Sequence, residues 1–203
     1  MTVRTPPQRP SVSRIDVVAL VASAGGIHAL GRVLSGLPRD FEAAVVVVLH
    51  LQSGQPSMLA DVLARRSPLP VKQAVPGDRL EPGHVYVAPP DAHLIMREDG
   101  ALQLDMSPPI HFLRPSADVF LASLASSHSQ RALAVVLSGS GHDGALGATA
   151  VKESGGIVLA QDESTSEYFG MPSAAIASGA VDRVLALDDI AAAVVAFVRP
   201  SLS

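Results

Sequence analysis

From residue 15 almost to its end, the chain alternates apolar runs of strand length with stretches whose apolar positions recur every three to four residues. Residues 15–21 (IDVVALV) and 43–49 (AAVVVVL) are near-continuous apolar runs, as expected of parallel strands covered on both faces. The first is followed by Gly25-Gly26 and a helical stretch to about Gly36. The second is followed by 56–66, where Met58, Leu59, Val62 and Leu63 mark one helical face. Residues 71–75 are shorter and more polar and read as an edge strand. The middle differs: 85–88, 93–96 and 101–106 are short alternating runs, with Pro89-Pro90-Asp91 and Asp99-Gly100 between them. They predict an antiparallel hairpin or meander inserted in the sheet. Alternation then resumes, with helices at 116–127, 145–153, 172–178 and 188–198 and strands at 132–137, 157–160 and 183–187. The pattern predicts an α/β fold with a doubly wound, mostly parallel sheet flanked by helices. Residues 14–203 read as a single domain, preceded by a disordered polar tail at 1–13.

Composition narrows the function. Nearly half of the 203 residues are apolar, but aromatics are scarce and Trp is absent, so the core is built from Ala, Val, Leu and Ile. With 15 Lys and Arg against 19 Asp and Glu, the chain is mildly acidic. It lacks the basic patches and stacking aromatics of a nucleic-acid partner. The absence of Cys removes disulfide and thiolate chemistry. No run approaches the roughly 20 apolar residues of a membrane span, and 1–13 has no apolar stretch of a secretory signal, so a cytoplasmic location without membrane insertion is expected. His84, His93, His111, His128 and His142 are scattered without metal-binding spacing. No metal and no cofactor are expected.

Ligands of open parallel sheets bind beyond the carboxyl ends of the strands. Three such ends carry reactive side chains: Ser23 after 15–21, His50 directly after 43–49, and Asp143 in the loop after 132–137. Nucleophile, base and orienting carboxylate thus converge from distant segments, in the order Ser, His, Asp; role geometry, not order, defines a triad. Each also has a plainer reading. By position alone Ser23 is first a helix N-cap, His50 a loop residue and Asp143 a cap for the helix that follows it. Gly25 and Gly26 sharpen the Ser23 reading, because they allow a tight turn that exposes the hydroxyl and aims backbone N–H groups at an oxyanion. A competing reading comes from Gly139-x-Gly141-x-x-Gly144 with Asp162 further on, which matches a dinucleotide fingerprint. It makes the chain a non-catalytic binding module for a nucleotide or a receptor segment. Asp143 inside that turn opposes a pyrophosphate, but on the residues alone both readings stand.

The segments 21–26 (VASAGG), 48–51 (VLHL), 76–90 (PGDRLEPGHVYVAPP), 114–118 (RPSAD), 137–147 (LSGSGHDGALG), 160–163 (AQDE) and 169–176 (FGMPSAAI) occur in one order along the chain. Together they resemble the catalytic domain of the bacterial chemotaxis protein-glutamate methylesterases. The resemblance implies a serine hydrolase with Ser23 as nucleophile, His50 as general base and acid, and Asp143 orienting His50. It implies a glutamate γ-methyl ester substrate on the cytoplasmic helices of a methyl-accepting chemoreceptor or another methylated protein, with glutamine deamidation as a second activity. Ala24, Gly25, Gly139, Ser140 and Gly141 are then expected to form or support the oxyanion hole. Three positions depart from the family: Ala24 stands where Thr is usual, Ser140 where Met is, and His142 where Asn is, the last bringing a second imidazole near the site. Family members also commonly carry an N-terminal receiver domain, for which 1–13 has no room. Regulation by a separate protein, or none, is therefore expected, with no response to small phosphodonors.

Overall fold

The computed structural model describes residues 14–50 and 57–199. The expected tail at 1–13, the beginning of the second helical stretch, Leu51 of the VLHL segment and residues 200–203 lie outside the described residues.

Among the described residues nine strands run in chain order: β1 (Val17–Ala22), β2 (Ala44–Leu49), β3 (Val71–Gln73), β4 (Val85–Val87), β5 (His93–Met96), β6 (Leu102–Asp105), β7 (Ala132–Val136), β8 (Ile157–Gln161) and β9 (Arg183–Leu185). Seven form one parallel sheet in the order β3-β4-β2-β1-β7-β8-β9. The apolar runs of the sequence are its centre, since every residue of β1, β2 and β7 is buried. The polar run at 71–75 is the edge strand, as expected. The middle of the chain differs from expectation. Residues 85–87 join the parallel sheet between β2 and β3, and only β5 and β6 pair antiparallel, as a separate two-stranded sheet. A three-residue strand is too short for its alternation to reveal its partners; burial between neighbours decides.

The helices are α1 (Gly26–Ser35), α2 (Leu59–Ala64), α3 (Ala117–His128), α4 (Ala145–Glu153), α5 (Gly170–Ala177) and α6 (Leu187–Val198). Successive side chains of a strand point to opposite faces. Val18, Leu20 and Ala22 therefore pack with Leu30, Leu34, Leu63 and Val194 of α1, α2 and α6. Val17, Ala19 and Val21 pack with Phe120, Val151 and Met171 of α3, α4 and α5 and with the β5–β6 hairpin. The winding reverses at β1: β2 lies on one side of it and β7 on the other. The carboxyl ends of β2, β1 and β7 thus meet at the switch point, where open α/β sheets bind ligands.

Candidate active site

Ser23 follows β1 directly. Its N–H donates to the Ser138 carbonyl at 3.0 Å, which ties the turn to the loop after β7. Gly25 then takes φ 73°, a left-handed conformation that glycine adopts without strain. A Cβ there would lie 2.8 Å from both the Glu167 Cβ and the Ser138 Oγ. The turn is therefore held tight, and Ser23 remains partly exposed at its apex. Gly139 makes the second close approach. Its missing Cβ would lie 3.0 Å from the Ser23 Cβ and 2.2 Å from the Met171 Sδ, so the loop after β7 lies against the serine. Ser138, itself buried, donates from Oγ to the Ala24 carbonyl at 2.9 Å and accepts the Tyr168 N–H at 3.0 Å. Its own N–H donates to the side-chain carbonyl of buried Gln161 at 2.9 Å.

His50 extends from the end of β2, and its Nε2 meets Asp143 Oδ2 at 2.7 Å. An ionised carboxylate only accepts, so the ring hydrogen sits on Nε2 and Nδ1 carries the free lone pair. This reverses the ring orientation of the serine proteases, where Nδ1 faces the aspartate. Ser23, Gly25, Leu49 and His50 line one open cleft of about 580 Å³, with Arg66 and Glu167 also on its wall. Among the described residues no hydrogen bond joins Ser23 Oγ to His50. Such contacts lengthen in unliganded enzymes and tighten on substrate.

Asp143 is 4% exposed and fully engaged. Besides His50 it accepts the N–H groups of Ala117 at 2.6 Å and Asp118 at 3.1 Å and the Ser116 hydroxyl at 2.9 Å. Burial pushes its carboxyl up, but the hydrogen bonds from His50, Ala117, Asp118 and Ser116 outweigh that and hold it well below the usual carboxylate range. Asp143 thus caps α3, not α4, the helix it precedes. Asp118, in the first turn of α3, caps α4 in return: its Oδ1 accepts Gly144 N–H and Gly147 N–H, both at 2.8 Å. Burial, with the charge of Asp143 adding to it, pushes the Asp118 carboxyl up. The two helices exchange carboxylate caps.

This exchange removes the dinucleotide reading. The N–H groups at the start of α4 that would receive a pyrophosphate are already bound to Asp118. A Cβ on Gly170 would lie 2.8 Å from Gly141 N, so the fingerprint loop is packed against the segment that follows β8. Asp162, the expected ribose ligand, instead closes a turn by accepting Thr165 N–H at 3.0 Å and the Ser164 hydroxyl at 2.9 Å.

Of the expected oxyanion group, Gly139 already donates its N–H to the Tyr168 carbonyl at 2.9 Å, so it supports the loop. The N–H of Ala24 makes no hydrogen bond to any described residue. Ser140 and His142 are exposed, and the His142 ring packs edge-on against His111 with centroids 5.4 Å apart, outside the cleft wall. The strand-end rule does not reach Asp118, Ser116, Ser138 and Gln161, although each lies in a segment that carries the resemblance. No described helix is long and apolar enough to cross a membrane. Among the described residues no cluster of His, Asp and Glu stands ready for a metal ion.

A family model described as CheB methylesterase matches residues 18–194. The protein-glutamate methylesterase/protein-glutamine glutaminase 2 of Anaeromyxobacter dehalogenans is 46% identical over 178 residues, 88% of this chain and 52% of that one. Protein-glutamate methylesterase FrzG of Myxococcus xanthus is 38% identical over 199 residues, 96% of this chain and 60% of that one. The chain spans about half the length of the curated relatives it matches. The crystal structure of the Thermotoga maritima CheB methylesterase catalytic domain superposes with a TM-score of 0.85 at 37% identity, covering 90% of this chain and 98% of that one.

Proposed function

The chain belongs to the CheB methylesterase family, and from that membership we propose that it hydrolyses glutamate γ-methyl esters on the cytoplasmic helices of a chemoreceptor, with Ser23, His50 and Asp143 as its catalytic triad. Ser23 Oγ attacks the ester carbonyl carbon while its proton passes to Nδ1 of His50. The carbonyl oxygen becomes an oxyanion, and the Ala24 N–H, beside the nucleophile, is positioned in sequence to receive it. Collapse breaks the bond to the methoxy oxygen, which takes the proton from His50 and leaves as methanol. Water then attacks the Ser23 acyl ester, again giving a proton to His50, and glutamate is released as Ser23 recovers its hydrogen. Deamidation of glutamine follows the same steps with ammonia as the leaving group. Asp143 keeps the ring hydrogen on Nε2 and stabilises the imidazolium formed in each step.

The observation that carries this reading is the 2.7 Å bond between His50 Nε2 and Asp143, on an imidazole that shares its cleft with Ser23. The names of the relatives supply the substrate class. Methanol release from methylated receptor membranes tests it: the wild type releases methanol and Ser23→Ala does not. Equal release by both proteins overturns the assignment of the nucleophile, and release by neither overturns the substrate.

A further inference from the structure

The described residues contain five buried polar or charged side chains: His93, Ser116, Ser138, Asp143 and Gln161. Three of them form one chain of hydrogen bonds. His93, on β5 of the hairpin, is 0% exposed. The Ser116 N–H donates to its Nδ1 at 3.2 Å, so the ring hydrogen sits on Nε2, which meets the Pro108 carbonyl at 3.3 Å. Ser116 is the N-cap residue of α3, where a serine hydroxyl ordinarily accepts an N–H of its own helix. Here it makes no such bond and donates to Asp143 Oδ1. The backbone of Ser116 is therefore held from behind by His93, while its hydroxyl and the next two N–H groups face the carboxylate. Packing alone does not require a histidine at this place, because an apolar side chain fills core space without needing two partners.

We propose that His93 is a positioning residue, fixing Ser116 so that the start of α3 cradles Asp143 in the orientation that aligns the His50 ring. The inference rests on the triad reading and deepens it. Near these hydrogen bonds lie the charged or titratable side chains of His50, Asp143 and Asp118, Asp105, which pairs with His93 across the hairpin, and Arg114, which donates to the Ser107 carbonyl.

The test compares His93→Ala, His93→Asn, Ser116→Ala and the double variant His93→Ala/Ser116→Ala with wild type, at temperatures well below each melting point. Asparagine retains an acceptor close to the place of Nδ1. Ser116→Ala is expected to lose about tenfold in kcat, the worth of one hydrogen bond to a charged group, and His93→Ala, which loses a neutral bond, about three- to tenfold, each with KM within about twofold. The double variant is expected to be slower than either single variant but by less than the product of the two effects, because His93 acts partly through the Ser116 hydroxyl and partly through the Ala117 and Asp118 N–H groups. His93→Asn recovers most of the rate. Effects that multiply in the double variant, or His93→Ala at wild-type kcat, overturn the proposal. A second readout needs no ester: the low-field proton resonance of His50 Nε2–H should move in the same direction in both alanine variants and return in His93→Asn. A resonance unmoved by His93→Ala overturns the proposal even if the wild type hydrolyses no ester, in which case the functional reading fails separately. Should His93→Ala not fold, Ser116→Ala and His93→Asn decide: an unmoved resonance in Ser116→Ala sinks the idea.

Discussion

In the proposed triad one Asp143 carboxylate would serve both the His50 ring and the start of α3, and replacing it by an amide tests both. An amide has one acceptor oxygen, so its NH₂ must face either His50 and Ala117 or Ser116 and Asp118, donor against donor. Asp143→Asn should therefore lower kcat by about 10⁴, the cost measured when a triad carboxylate becomes an amide, with KM roughly unchanged; steady-state ester hydrolysis checks it. Stability should change as well, with a definite dependence on pH. The folded carboxyl titrates below the unfolded value of about 3.9, so its contribution is complete above that pH and is lost as pH falls below it. Urea unfolding should show Asp143→Asn less stable than wild type at pH 7, with the gap narrowing from about pH 4 downward. A gap that widened on acidification would contradict the cradle described for Asp143. Ser23 is the contrasting residue, since its hydroxyl serves no structural bond among the described residues. Ser23→Ala should abolish hydrolysis while leaving the melting temperature within about 2 °C, the scale of a surface change of a few tenths of a kcal/mol.

Between elements, the exchange of caps couples α3 to α4. Asp118→Ala leaves the N–H groups of Gly144 and Gly147 without their acceptor, at a cost of about 1–2 kcal/mol for a lost cap. Thermal unfolding should register that loss, and activity should fall too, because Asp143 adjoins Gly144. The sequence makes the rhythm of these elements plain: β1, β2 and β7 stand out as apolar runs, and the strand-end rule picks out Ser23, His50 and Asp143. It leaves their interlocking hidden. The bond from Ser116 to Asp143 spans 27 residues and that from Ser138 to Gln161 spans 23, and neither exists until helices and strands are packed. The same limit explains β4, whose three residues belong to the parallel sheet through neighbours and not through pattern. It also explains Asp143, which reads locally as a cap for the helix it precedes but turns across to α3.

At the scale of the whole molecule, the body of the sheet is apolar on both faces, and the five buried polar side chains lie in the networks around Ser23 and Asp143. Most of the apolar burial that stabilises the fold thus lies away from the cleft, and the two meet at the exchanged caps. Leu20→Ala, fully buried in β1 against α1 and α6, should cost about 2–5 kcal/mol through lost burial and the cavity left behind. Below its lowered melting point the variant should keep kcat within about twofold; a larger loss would show that the sheet interior tunes the site. The exchanged caps carry a consequence for descent. Under the proposed triad, a lineage that no longer needs hydrolysis can shed the Ser23 hydroxyl at little structural expense, whereas shedding the Asp143 carboxylate unpicks a helix junction. Silent descendants of this chain should therefore retain the aspartate long after the serine has gone, a fossil that marks where the chemistry once was.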